Sequence, residues 1–169
     1  MSRGFVKEDD QEEIPMVPPR ADLPHGATNY VTKNGLALLV EEREALQKAR
    51  EELPVDNEKE RRIANNHMAS KLRLLTERIS SAKVVDLKEQ PADEVRFGAL
   101  VTVRIDHAEP VQKYQLVGVD EADIKKNKIS FLSPIARILI SKRVGDTAIL
   151  KLGKEERMFT ITQIQYPMD

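Results

Sequence analysis

KNGLALLVEEREALQKAREELPVDNEKERRIANNHMASKLRLLTERISSAK, residues 33 to 83, is the stretch whose reading decides the fold. Leu36, Leu39, Leu46 and Leu53 rise at 3- and 7-residue steps along one helical face, and Met68, Leu72, Leu75, Ile79 and Ala82 return at steps of 4, 3, 4 and 3. Between the two stripes lies Leu53-Pro54-Val55-Asp56-Asn57. Proline ends the first helix; Asp56 or Asn57 caps the second, with Glu60 three residues after Asn57 as the partner in a capping box. The pattern predicts an antiparallel coiled-coil hairpin over residues 32–86, a stalk with a tip.

Around this hairpin the composition is that of a folded, soluble chain. Of 169 residues, 40% are apolar, enough for an ordinary core. The 27 basic and 28 acidic side chains nearly cancel, so bulk charge steers the molecule to neither nucleic acid nor an anionic membrane. There is no cysteine, which removes disulfides, thiol nucleophiles and thiolate-bound zinc. Neither a signal-peptide h-region nor an 18-residue apolar run occurs, and the expected setting is cytoplasmic, with no membrane contact. Residues 1–31 carry Pro15, Pro18, Pro19 and Pro24 and the acidic run Glu8-Asp9-Asp10-Gln11-Glu12-Glu13, and read as a flexible Pro-rich acidic arm. A polar hinge, Lys88 to Pro91, follows the hairpin.

After the hinge the period changes from 3.6 to 2. Val101, Val103 and Ile105 alternate with Thr102 and Arg104; strand runs follow at Ile129–Phe131, Thr147–Leu152 and Met158–Tyr166, the last two joined near Gly153-Lys154. One helix interrupts them, with Ser133 as its cap, Pro134 in its first position and Ile135, Ile138 and Leu139 on one face. Residues 92–169 therefore read as a small, mostly antiparallel β domain with one short helix, and the molecule as α+β.

Candidate chemistry is sparse. From residue 36 to 58 there are 3 basic and 7 acidic side chains, against 7 and 2 from 59 to 83. Such arms attract each other across a coiled coil; alternatively Lys59, Arg61, Arg62, Lys71 and Arg73 form a basic ridge facing a nucleic-acid backbone such as nascent RNA. Asp56, Glu58 and Glu60 cluster at the tip, where carboxylates suit either helix capping or ligation of Mg²⁺. His25, His67 and His107 lie far apart, so the chain has no metal site of its own to offer, and Asp106-His107-Ala108-Glu109 reads as a turn. Asp120-Glu121-Ala122-Asp123 spells a helicase motif by letter, but no phosphate-cradling loop accompanies it. A self-contained active site is not expected, nor a cofactor.

Phe97-Gly98-Ala99 with Val101-Thr102-Val103, Val117-Gly118 with Asp120-Glu121-Ala122-Asp123, Ile129-Ser130, Ser133-Pro134-Ile135-Ala136-Arg137 and Val144-Gly145-Asp146 together resemble, in order and spacing, the bacterial Gre-type transcription elongation factors. Thr32, Gly35 and the stalk exit Ala82-Lys83-Val84-Val85-Asp86 extend the resemblance over residues 30 to 166. It implies an FKBP-like C-terminal domain that docks on bacterial RNA polymerase, and a coiled coil that enters the secondary channel. There, tip carboxylates share the polymerase's own Mg²⁺ and the polymerase cuts the RNA, so the factor is not itself an enzyme. Carried over by direct match, Ser133 and Pro134 belong to the docking segment, with Ile135, Asp120 and Glu121 beside them.

The tip departs from the family. A motif of the form Gly-Asp-x-x-Glu-Asn-Ala-(Glu/Asp)-Tyr is replaced by Leu53-Pro54-Val55-Asp56-Asn57-Glu58. The interval from Gly35 to Asp86 is also about two heptads short, which takes about 10 Å off the stalk. Oxygen ligands must lie within about 2 to 2.6 Å of the metal, so stimulated cleavage is disfavoured. The expected activity is modulation of elongation through the secondary channel by a monomer. The alternatives are a competitor of the cleavage factors and an FKBP-like peptide-binding or prolyl-isomerase module, for which aromatic residues, at 4%, are in short supply.

Overall fold

The computed structural model describes residues 16–54 and 56–168. Strand β1, Tyr30–Val31, leads into helix α1, Lys33–Glu51, and helix α2, Glu58–Ser81, returns to strand β2, Lys83–Val84. Thr32 caps α1 by accepting the Gly35 N–H at 2.9 Å. Asn57 caps α2, its Oδ1 accepting from the backbone of Lys59 at 3.1 Å and Glu60 at 3.2 Å. The chain thus stops and restarts where Pro54 and Asn57 require it. Leu39 and Leu75 are buried between the arms, and Leu75, with no exposed surface, contributes about 2 kcal/mol of hydrophobic stabilisation.

What the heptads do not reveal is how the stalk is rooted. Tyr30 pairs with Lys83 and Val31 with Val84 in a two-stranded parallel ladder that ties the entry of α1 to the exit of α2. The stretch read as a hinge is packed: a 3-10 turn at Leu87–Glu89 buries Leu87, and the Gln90 side chain donates to the Phe97 carbonyl at 3.0 Å. Gly98, at φ +88°, lies so close to Leu87 that a Cβ there would overlap a leucine methyl.

The second half is a five-stranded sheet in the order β5-β4-β3-β7-β6. Its strands are β3 Leu100–Ile105, β4 Gln112–Val117, β5 Lys128–Ser130, β6 Thr147–Leu152 and β7 Glu155–Gln165. All neighbours are antiparallel except β4 and β5. Helix α3, Pro134–Leu139, covers one face through Ala136 and Leu139, and the core gathers Val95, Val101, Val103, Leu116, Phe159 and Ile161. Pairing in the last hairpin continues to Leu152 opposite Glu155, so β7 begins three residues before the strand expected at Met158. The molecule is α+β: a helical hairpin, then a mostly antiparallel sheet domain with one short α-helix.

Candidate functional site

Three places carry the residues singled out in the sequence: the tip, the α3 segment and the root of the hairpin. At the tip, Asp56, Glu58 and Glu60 are all exposed. Asn57 supplies the capping oxygen, which leaves the three carboxylates to the helix dipole and to solvent. Among the described residues no group of three His, Cys, Asp or Glu side chains is placed to hold a metal ion. The tip carboxylates therefore do not form a cage; at most they add oxygens to an ion held by another molecule.

The basic ridge is not one face. At about 100° per residue along α2, Lys59, Arg62 and Arg73 fall within about 60° of each other, whereas Arg61 and Lys71 point elsewhere. Arg73 donates to Glu77 at 3.1 Å within the same helix, and across the hairpin Arg50 donates to Asn65 at 2.7 Å.

At α3, Ser133 Oγ accepts the Ala136 N–H at 3.3 Å, Pro134 follows in the first turn, and Ile135 packs against the sheet core. Only Pro134 of the three is exposed. Ser133 and Ile135 thus have structural work of their own, and Pro134 and Arg137 are what the segment presents outwards.

Asp120 and Glu121 lie at the root of the hairpin, and the structure gives them a role the sequence reading missed. The Glu121 side chain, 3% exposed, accepts from Thr32 Oγ1 at 2.6 Å, Asn34 Nδ2 at 2.9 Å and Lys128 Nζ at 3.1 Å. It latches the first turn of α1 to the sheet domain. Gly35 is part of this latch, because a Cβ there would come 2.7 Å from the Glu121 carboxylate. Asp120, 8% exposed, accepts from Arg20 at 3.0 Å and faces Arg78 of α2 at 3.3 Å. Arg20 also forks onto Glu42 of α1 at 2.9 and 3.0 Å, and Arg78 donates to the Ala21 carbonyl at 2.7 Å. The bidentate bond to Glu42 is the chief reason the Arg20 guanidinium holds its proton even more tightly than usual, against the opposing effect of burial. As partner contacts, Asp120 and Glu121 have no exposed carboxylate to offer; they bind the chain to itself.

The same network decides the fate of the arm. Its acidic run, Glu8 to Glu13, lies outside the described residues, but from Val17 to Leu23 the chain runs along the hairpin root, and Asn29 is buried, donating to the Arg78 carbonyl and to Ser81. Aromatic packing reinforces the joint. The rings of Tyr30, Phe97 and Phe131 meet at 5.3 to 5.8 Å between centroids, and Gly118 lets the Tyr30 carbonyl approach where a Cβ would sit 2.6 Å away. The signal available in sequence is Gly118 after the apolar run Leu116-Val117, but it lies 87 residues from Val31, the residue before which the approach occurs.

The turn at Asp106-His107 is a turn: both residues have positive φ, and the Asp106 carboxylate accepts from Met158 N–H at 2.8 Å and Arg157 at 3.0 Å. These bonds, the backbone one foremost, hold Asp106 below the usual carboxylate range.

The arrangement defines a two-part class of protein, a helical stalk rooted by buried ion pairs on a sheet domain. Comparison with known proteins makes the class specific. The family model described as "Transcription elongation factor, GreA/GreB, C-term" matches residues 90–166. The protein named transcription elongation factor GreA from Rhodospirillum rubrum is 34% identical over 105 residues, 62% of this chain and 67% of that one. GreA from Maricaulis maris is 47% identical over 74 residues, 44% of this chain and 47% of its own. The chain belongs to the GreA/GreB family of transcription elongation factors. The match spans about half the length of the Maricaulis relative and 59% of a GreA from Hyphomonas neptunium. Among solved structures, GreA factor homolog 1 of Thermus thermophilus is 22% identical, with 80% of this chain and 97% of that one covered at a TM-score of 0.39. No helix among the described residues is long and apolar enough to cross a membrane.

Proposed function

We propose that this protein docks on bacterial RNA polymerase through its sheet domain and sets its hairpin in the secondary channel, modulating elongation without performing chemistry itself. The observation that supports this most is the match of residues 90–166, nearly the whole sheet domain, to the C-terminal domain of the family. Docking engages the α3 segment through its exposed Pro134 and Arg137, and the hairpin reaches the channel at an angle fixed by the Glu121 and Asp120 latches. Asp56, Glu58 and Glu60 stand at the far end, on a stalk whose reach and missing motif disfavour a ligating role. Steric competition with the cleavage factors is the activity this geometry favours. Lys59, Arg62 and Arg73 are the side chains best placed to face RNA together.

The second reading, a peptide-binding or prolyl-isomerase module, has little support. Phe97 and Phe131 join Tyr30 at the joint, and Phe159 is in the core, so these aromatics are not free to line a peptide pocket.

The test is a backtracked elongation complex on core polymerase, with transcript shortening followed after addition of this protein, alone and against an authentic GreA. The expected result is co-migration with the polymerase, little shortening by the protein alone, and a dose-dependent reduction of GreA-driven shortening. Failure to bind core polymerase refutes the proposal. Shortening that disappears in Asp56→Ala with Glu58→Ala would instead make the tip a ligating end.

A further inference from the structure

At the root of the hairpin four separate stretches of chain line one cleft of about 630 Å³: Val17 to Ala21 of the arm, Glu42 and Leu46 of α1, Lys71 and Leu74 of α2, and Val119 and Asp120 after β4. Small-molecule sites commonly hold about 300 to 1,000 Å³, lie where domains meet, and have apolar walls with a few polar groups. This cleft has that composition. Val17, Leu46, Leu74 and Val119 supply the walls, and Arg20, Glu42, Lys71 and Asp120 the polar groups.

The charges here do not balance. Arg20 commits its fork to Glu42 at 2.9 Å and to Asp120 at 3.0 Å, and Asp120 also faces Arg78 at 3.3 Å. Three cations, Arg20, Arg78 and Lys71, therefore stand against two carboxylates, Glu42 and Asp120. Lys71 is the one left over: it is half-buried, yet its ammonium has neither an ion pair nor a hydrogen bond among the described residues. A lysine withdrawn from water is ordinarily paired, as half-buried Lys128 is with Glu121 at 3.1 Å.

The geometry points to a binding site for a small organic monoanion, with its carboxylate on Lys71 and its hydrocarbon body against Val17, Leu46, Leu74 and Val119. One surplus positive charge calls for one negative charge. A dianion such as a phosphate ester would set its second charge near Glu42 and Asp120, which repel it. An inorganic ion has no apolar body to cover the walls, and a neutral apolar ligand would withdraw Lys71 further from water with nothing to pair it. Because the walls come from the arm, both helices and the sheet domain, an occupant adds contacts across the joint that aims the hairpin. The site thereby makes that joint responsive to a soluble ligand, whether or not the protein binds polymerase.

Sodium octanoate is the probe, with octanamide as its uncharged counterpart, each titrated into the full-length protein and followed by methyl NMR. The expected result is a saturable shift of the Val17, Leu46, Leu74 and Val119 methyls, with Ile149, exposed on β6, unmoved. Octanoate should bind about tenfold more tightly than octanamide, the share of one charge-assisted hydrogen bond. Lys71→Met keeps the stem and removes the charge, so it should abolish this preference and leave octanamide binding unchanged; Lys71→Arg should retain the preference. Equal affinities in the parent overturn the inference, and are the outcome if the stem of Lys71 only covers the wall while its head reaches water. A preference that survives Lys71→Met overturns it as well. So does the absence of saturable shifts in the parent, or an equal shift at Ile149, which would mark non-specific apolar association.

Discussion

The two ends of the hairpin are built by opposite means. At the root, two carboxylates with 8% and 3% side-chain exposure collect partners from the arm, both helices and the sheet domain. At the tip, three carboxylates are in solvent and one asparagine caps the helix. A buried ion pair becomes costly when one partner is lost, because the other is stranded in a medium of low dielectric, whereas an exposed charge is solvated with or without a neighbour. The root therefore specifies where the stalk points. The tip leaves open what it delivers.

This contrast gives a graded set of expectations. Glu121→Ala removes the acceptor shared by Thr32, Asn34 and Lys128 and should cost about 3 kcal/mol in chemical denaturation, somewhat eased by the access of Lys128 to water. A loss near zero would break the claim that the root is the specified end. Gly118→Ala drives a methyl against the Tyr30 carbonyl, a backbone atom that cannot swing aside; about 2 kcal/mol and a loosened β1–β2 ladder in hydrogen exchange are expected. Asn57→Ala deletes the cap of α2 for about 1 kcal/mol, with fraying confined to the tip. Asp56→Ala with Glu58→Ala should stay within about 0.5 kcal/mol of the parent, as surface changes do; a larger loss would mean the tip is structurally specified after all.

Acid titration supplies a reference outside the hairpin. The folded-state pKa of Asp106 is depressed, so its contribution to stability is present above the ordinary aspartate range and is lost as pH falls through the folded value. Asp106→Asn should flatten that part of the stability-against-pH curve without touching the hairpin.

How much of this was legible in the sequence follows from the range of the forces involved. The hairpin was, because heptads and a Pro-x-x-Asn turn act over one to two helical turns: the helices run from Lys33 to Glu51 and Glu58 to Ser81, inside the predicted 32–86. Strand β6 fell where alternation placed it, and α3 began at Pro134 behind its Ser133 cap. By contrast β4, with Gln112, Lys113 and Gln115, carries little period-2 signal and is held by its neighbours on both sides. The family resemblance sets Asp120 and Glu121 beside the docking segment, and nothing local in the sequence shows that they are buried; the arrival of Arg20, Thr32 and Arg78 from remote parts of the chain turns them inward. Arg20 itself looked like one more charge in a Pro-rich arm. Nothing local marks it as the residue that grips Glu42 and Asp120 together.

The root of the stalk is also a fulcrum. Helix α2, with 24 residues, is a lever of about 36 Å, so each degree of rotation at the Glu121 and Asp120 contacts sweeps the far end through about 0.6 Å. Play of about three to four degrees would displace the tip by the full length of a metal–oxygen bond. Aim is thus set some thirty ångströms from where it is felt. Alterations confined to Gly35, Gly118 or Arg20 should register at the end of the hairpin while every residue there is unchanged.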